Sequence, residues 1–275
     1  MESKGFIGVF DSGYGGLTIL NDLRKRLPQY DYIYLGDNAR APYGNRSFDV
    51  VHDFTLEAVR FLYNKGCRLV ILACNTSSAK ALRTIQQQHL KEMDSSFRVL
   101  GVIRPSTETI GSYSKTKHIG ILGTEGTVNS NSYTIELNKF SPGTLITQQA
   151  CPMWVPLIES NKHMSESGKA VIKEDFMTLM KKDPEIDIVL WACTHYPIIA
   201  PFLEEISDGS VRIISQGPIV SDKLQDYLIR NEILKKRISQ NSKCRFLTTE
   251  NPEVFNRCAE NFLSMKVNAE QVKIG

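Results

Sequence analysis

Two cysteines close apolar runs of the same kind: Val70-Ile71-Leu72-Ala73-Cys74-Asn75-Thr76 and Val189-Leu190-Trp191-Ala192-Cys193-Thr194-His195. A lone cysteine at the end of a buried strand is usually a small packing residue. Two in matching contexts point to chemistry instead. Each is followed by small polar residues, Asn75-Thr76-Ser77-Ser78 and Thr194-His195-Tyr196-Pro197, which suit a helix start and offer hydroxyl and amide donors to an anion. A helix N-terminus also lowers a thiol's pKa. With one thiol on each side of a bound carbon acid, one base removes a proton from one face while an acid supplies another to the opposite face. That inverts a stereocentre.

Other residues could assist. Asp11, in Asp11-Ser12-Gly13-Tyr14-Gly15-Gly16, reads either as a turn with an Asp cap or as a buried carboxylate that exchanges protons with Cys74. The same segment partly fits a dinucleotide fingerprint, since Gly13-x-Gly15 follows a strand and Asp37 ends the next one. Thr18 stands where the third glycine belongs, and a nicotinamide enzyme leaves both Ala-Cys segments unexplained. His195, two residues after Cys193, is suited to a proton relay or to a polar helix start. His52, His89, His118 and His163 have no metal-ligand spacing with cysteines or carboxylates.

The elements that must position these groups follow from periodicity. Short apolar runs alternate with amphipathic helical stretches, predicting an α/β fold with parallel sheets. Phe6 to Phe10 reads as a buried strand, 11–16 as a turn, and Leu17, Leu20, Leu23 and Leu27 as a helical stripe stopped at Pro28. Further strands are expected at Tyr32 to Leu35 and Leu69 to Ala73, and helices at about 48–65 and 77–91.

The chain also echoes itself. Ile119-Gly120-Ile121-Leu122-Gly123 answers Ile7-Gly8-Val9-Phe10-Asp11 at an offset of 112, and the two Ala-Cys runs are 119 apart. Two similar α/β domains related by a pseudo-two-fold are therefore expected, with the active site in the cleft between them. The C-terminal stretch, including the strand-like Cys244-Arg245-Phe246-Leu247, has no counterpart in the repeat and is expected to return to the first domain. The predicted division is 1–102 with 216–275, and 103–215.

Composition excludes the special classes. Among 275 residues, 41% are hydrophobic and 23% charged, which is ordinary for a globular protein. A net charge of +3, with basic residues spread out, gives no nucleic-acid footprint. The longest apolar runs fall far short of the roughly 20 residues that span a membrane. No leader-like apolar segment follows Met-Glu-Ser-Lys-Gly, so a cytoplasmic protein is expected. The six cysteines, at 67, 74, 151, 193, 244 and 258, form no C-x-x-C pair and are expected to be free thiols there.

Six segments, GVFDSGYGG (8–16), YLGDNARAPYG (34–44), ACNTSSA (73–79), GTEGTV (123–128), CPMWVPLIE (151–159) and ACTHYP (192–197), together resemble the glutamate racemase family of the aspartate/glutamate racemase superfamily. The likeness runs along nearly the whole chain. It implies an isomerase that interconverts L- and D-glutamate without metal, pyridoxal phosphate or other cofactor. It also implies D-glutamate for peptidoglycan biosynthesis, hence for cell wall biogenesis and cell shape, and a homodimer as the expected assembly. Cys74 and Cys193 match the family's two acid/base cysteines, and Asp11, His195 and Glu159 its auxiliary proton-handling groups. Asp11, Ser12, Tyr43, Gly44, Asn75, Thr76, Thr194 and His195 fall on positions that hold the amino acid.

Two departures stand out. The family's common GVIEPG is here Gly101-Val102-Ile103-Arg104-Pro105-Ser106, an acid replaced by a base, and a common DSG is Ser215-Gln216-Gly217. Both bear on contacts between domains more than on the reaction. Aspartate racemase is the nearest alternative, but Cys193-Thr194-His195-Tyr196 favours glutamate. A binding or regulatory protein that kept the fold would not need both thiols.

Overall fold

The structure, a computed structural model, describes residues 4–275. The first three residues, on which the leader reading partly rests, lie outside the described residues. Two parallel sheets organise the chain. The first contains β1 (Phe6–Asp11), β2 (Tyr32–Gly36), β3 (Cys67–Leu72) and β4 (Arg98–Gly101); the second contains β5 (His118–Gly123), β6 (Leu145–Ala150), β7 (Ile188–Ala192) and β8 (Arg212–Ile214). Then β9 (Cys244–Thr248) and β10 (Ala269–Gln271) join the first sheet, β9 beside β2, giving the order β10-β9-β2-β1-β3-β4 against β6-β5-β7-β8 in the second. The core order of each sheet is the same: the opening strand lies centrally, with the next strand on one side and the cysteine-bearing run on the other. The sequence echo is thus a repeat of topology.

The apolar runs become central strands because both their faces are covered. Side chains alternate across a strand, so Ile7, Val9, Tyr32, Tyr34, Leu69 and Ile71 enter one core while Phe10, Ile33, Leu35, Val70 and Leu72 enter the other. In the second sheet Ile119, Ile121, Ile188 and Leu190 face one core, Leu122, Val189 and Trp191 the other. The helix Gly16–Arg26 buries Leu17, Leu20 and Leu23 against the first core, and Arg24, Lys25 and Arg26 in its last turn complement the helix dipole. The chain leaves helical geometry at Leu27, before Pro28.

Two boundaries differ from expectation. The helix expected to open at Ser77 begins at Asn75, because Cys74 is already its flanking N-terminal residue in extended conformation. It is not one continuous α-helix either: it breaks at Ala81 and carries a π-helical turn over Ile85–His89 before ending at Met93.

The chain crosses between sheets near Val102 and again near Ser215. Helix Gln216–Arg230 then packs against helices Gly16–Arg26 and Ile103–Ile110. Arg104, the base at the first crossing, is exposed and pairs with Glu108 on its own helix at 2.9 Å; Glu108 also takes Lys223 at 3.1 Å. An exposed pair of this kind contributes little. Its effect stays local.

Candidate active site

In open parallel sheets, ligands bind beyond the carboxyl ends of the strands where connections leave in opposite directions. Each sheet has such a point, between β1 and β3 and between β5 and β7. Both open on one cavity of about 280 Å³, whose wall includes Ser12, Cys74, Asn75 and Thr76 from the first sheet and Thr124, Glu125, Cys193, Thr194 and His195 from the second. Tyr43, Gly44, Met153 and Glu159 also line it. Cys74 and Cys193 are both buried against this cavity, at 6% and 7% exposure. All six cysteines are free thiols.

The thiols have different partners. Burial raises the Cys74 thiol above its ordinary range, and the Asp11 carboxyl adds to this, while Ser12 and Ser77 pull the other way through hydrogen bonds. Burial likewise raises Asp11, opposed by His195 and by backbone N–H groups of the turn. Asp11 accepts from Gly13 N at 2.9 Å and from Thr194 Oγ1 at 3.4 Å, so the carboxyl reaches from the first sheet to the second.

Cys193 Sγ lies 4.0 Å from His195 Nδ1, and His195 Nε2 lies 2.9 Å from Glu159 Oε1. The Phe262 ring packs nearly perpendicular to the imidazole, centroids 5.6 Å apart. Burial alone would push the imidazole down, but the hydrogen bonds to Cys193 and Glu159 outweigh it and the pKa is raised to about 10. A group raised on folding contributes stability that is full below its unfolded value, near 6.5, and is lost as pH rises through about 10. Glu159→Gln is therefore expected to lower the melting temperature at neutral pH, the deficit shrinking as pH rises through about 10. A deficit independent of pH in thermal melts would contradict this linkage.

The turn after β1 explains its glycines by space. Gly15 has ordinary helical torsions, φ −57° and ψ −36°, yet a Cβ there would sit 2.3 Å from Thr194 Oγ1 and 2.4 Å from His195 Nδ1. It is where the halves touch. Gly15→Ala should displace Thr194 and His195 and cut kcat/KM by about 100-fold, since small misplacements in an active site carry penalties of that order. Wild-type kinetics in this variant would mean that the turn yields freely.

The dinucleotide alternative loses its footing here. Asp37 is fully buried and accepts from Arg40 Nε at 2.7 Å, Thr249 Oγ1 at 2.9 Å and the Tyr43 hydroxyl, so its carboxylate is turned to partners inside the fold and closed to a ribose. Thr18 Oγ1 lies 2.9 Å from the carbonyl of Gly15 and 3.0 Å from that of Thr194, a tie between the halves at the third-glycine position.

The residues expected to hold the amino acid are all on the cavity wall except Asp11, which stands behind Ser12 and Thr194. What they present differs from the simplest expectation. The Tyr43 hydroxyl is committed to Asp37, so it is not a donor to the cavity, although Tyr43 and Gly44 both line it. Thr76 Oγ1 meets Thr124 Oγ1 at 3.0 Å across the cleft. Thr124 carries no assigned role in the sequence reading, although the 112-residue offset sets it opposite Ser12. Met153, Pro152 and Pro156 also line the cavity, and only the motif around them signals this. Among the described residues, no three His, Cys, Asp or Glu side chains gather as metal ligands, and no helix is long and apolar enough to cross a membrane.

Two thiols at equivalent strand ends of a repeated fold, facing one cavity, can exchange protons with a small carbon acid held between them. The family described as Asp/Glu/Hydantoin racemase matches residues 18–220. The glutamate racemase of Streptococcus agalactiae is 34% identical over 266 residues, 97% of each chain. Among solved structures, glutamate racemase isoform RacE1 of Bacillus anthracis is 31% identical with TM-score 0.89, covering 98% of this chain and 97% of that one. The Francisella tularensis glutamate racemase in complex with D-glutamate is 32% identical with TM-score 0.86, covering 98% of each. The chain belongs to the Asp/Glu/Hydantoin racemase family and, within it, to the glutamate racemases, which are isomerases.

Proposed function

We propose that this protein interconverts L- and D-glutamate by two-base proton transfer between Cys74 and Cys193, without a cofactor, and supplies D-glutamate for peptidoglycan synthesis. The observation that carries the reading is the pair of buried thiols on one cavity wall, each at the end of the corresponding strand of its sheet. The Francisella tularensis relative holds D-glutamate, which supports the choice of substrate.

The substrate carboxylates and ammonium are bound by Ser12, Thr76, Thr194, the amide of Asn75 and the backbone N–H groups of Tyr43 and Gly44, while Asp11 and His195 bear on them from behind the two thiols. With L-glutamate, the Cys193 thiolate takes the alpha proton and Cys74, kept protonated by burial and by Asp11, delivers its own to the opposite face. The reaction leaves Cys193 as thiol and Cys74 as thiolate; D-glutamate runs the same steps in reverse. His195, held by Glu159, relays protons for Cys193, and Asp11 does so for Cys74. We also propose that the protein is a homodimer and that its domains are 1–102 with 216–275 and 103–215. The test is racemisation of either enantiomer by protein dialysed against EDTA, followed by polarimetry. Activity that returned only on adding metal, pyridoxal phosphate or NAD would refute it.

A further inference from the structure

Gln216, one of the two residues by which Ser215-Gln216-Gly217 departs from its family's common DSG, is 3% exposed at the second crossing between sheets. Its amide closes a ring of hydrogen bonds behind the cavity. Asn75 Nδ2 donates to Gln216 Oε1 at 2.6 Å, Gln216 Nε2 donates to the Tyr133 hydroxyl at 2.8 Å, and that hydroxyl donates to Asn75 Oδ1 at 2.6 Å. Tyr133 and Asn75 are as buried as Gln216. Burial raises the Tyr133 phenol above its ordinary range despite the hydrogen bond from Gln216, so it keeps the proton it donates.

The direction of the ring is set from outside. Gln216 Nε2 also lies 3.2 Å from the Val102 carbonyl, which can only accept, and 2.8 Å from Ser106 Oγ, whose own proton goes to Val102 O at 2.8 Å. The nitrogen end of the Gln216 amide must therefore face Val102, leaving its oxygen for Asn75. A flipped Asn75 would set two acceptor oxygens against each other. Asn75 is thus held with its oxygen spent on Tyr133 and one N–H spent on Gln216. Its second N–H is the only free polar hydrogen of the side chain, on a residue that lines the cavity next to Cys74.

We infer that Gln216 is a positioning residue that, through Asn75, makes the wall beside Cys74 present an N–H donor rather than a carbonyl to the substrate carboxylate, while tying the two crossings of the chain together. This rests on the reading of the cavity as a glutamate site. A carbonyl in that position would repel the carboxylate, and a freely turning amide would hold it only part of the time.

The test is a kinetic cycle with Gln216→Met, which keeps side-chain length, and Asn75→Ala. Losing one oriented hydrogen bond to a charged group should raise KM for glutamate about tenfold with a smaller change in kcat. In the Asn75→Ala background, Gln216→Met should change KM less than about twofold, because its target is gone. A tenfold rise in both backgrounds, or wild-type KM in the single variant, would overturn the inference. Hydrogen exchange of the Asn75 and Gln216 side-chain amides in the wild-type protein, followed by NMR, tests the ring without turnover or folding of a variant. Slowed exchange is expected, and rates matching exposed amides would overturn it. Wild-type protein that fails to racemise glutamate but shows slowed exchange would defeat the functional reading and leave the ring standing.

Discussion

Cys74→Ala and Cys193→Ala each lose racemisation in both directions, by at least about 10³-fold in kcat, the order contributed by a positioned acid or base. In the proposed mechanism each turnover needs one thiol as base and the other as acid, so removing either stops inversion whichever enantiomer is supplied. The fold should survive, because both residues border the cavity, and trimming a sulfur there opens existing space rather than a sealed void. A melting shift of no more than about 1 kcal/mol equivalent is expected. Polarimetry on both enantiomers, with a thermal melt beside it, checks this. A variant that keeps near-normal rates in both directions would remove that cysteine from the mechanism.

In D2O, the first D-glutamate formed from L-glutamate carries deuterium at the alpha carbon almost completely, while unreacted L-glutamate stays largely protonated. A single base that served both faces would carry the abstracted proton across and return it to product. In the proposed two-base mechanism the proton taken by Cys193 is not the one delivered by Cys74, which was loaded from solvent beforehand. The pattern should reverse with D-glutamate, Cys74 then acting as base. Early product is analysed by NMR or mass spectrometry. Substantial retention of substrate hydrogen in it would exclude the two-base assignment.

Much of this was legible before folding because it is local. Alternating apolar runs define strands buried on both faces, and a cysteine after such a run, followed by small polar residues, lies at a strand's carboxyl end beside a helix start. The 112- and 119-residue offsets added that the two thiols occupy equivalent positions, and the six motifs identified the family. What sequence alone left open were contacts between residues far apart in the chain: Asn75 with Gln216 across 141 positions, His195 with Glu159 across 36, and Asp37 with Thr249 across 212. Asp37 ends a strand in the manner of a ribose-binding acid, and only the folded chain shows that it is buried and turned to three internal donors. Tyr43 lies in a matching motif, yet its hydroxyl turns to Asp37 rather than to the cavity. The types of chemical group available were thus determined by sequence. Which end of the Asn75 amide faces the cavity, which protons stay on Cys74 and His195, and which donors remain unspent were decided by tertiary structure, because burial and long-range hydrogen bonds act only once the distant partners have met.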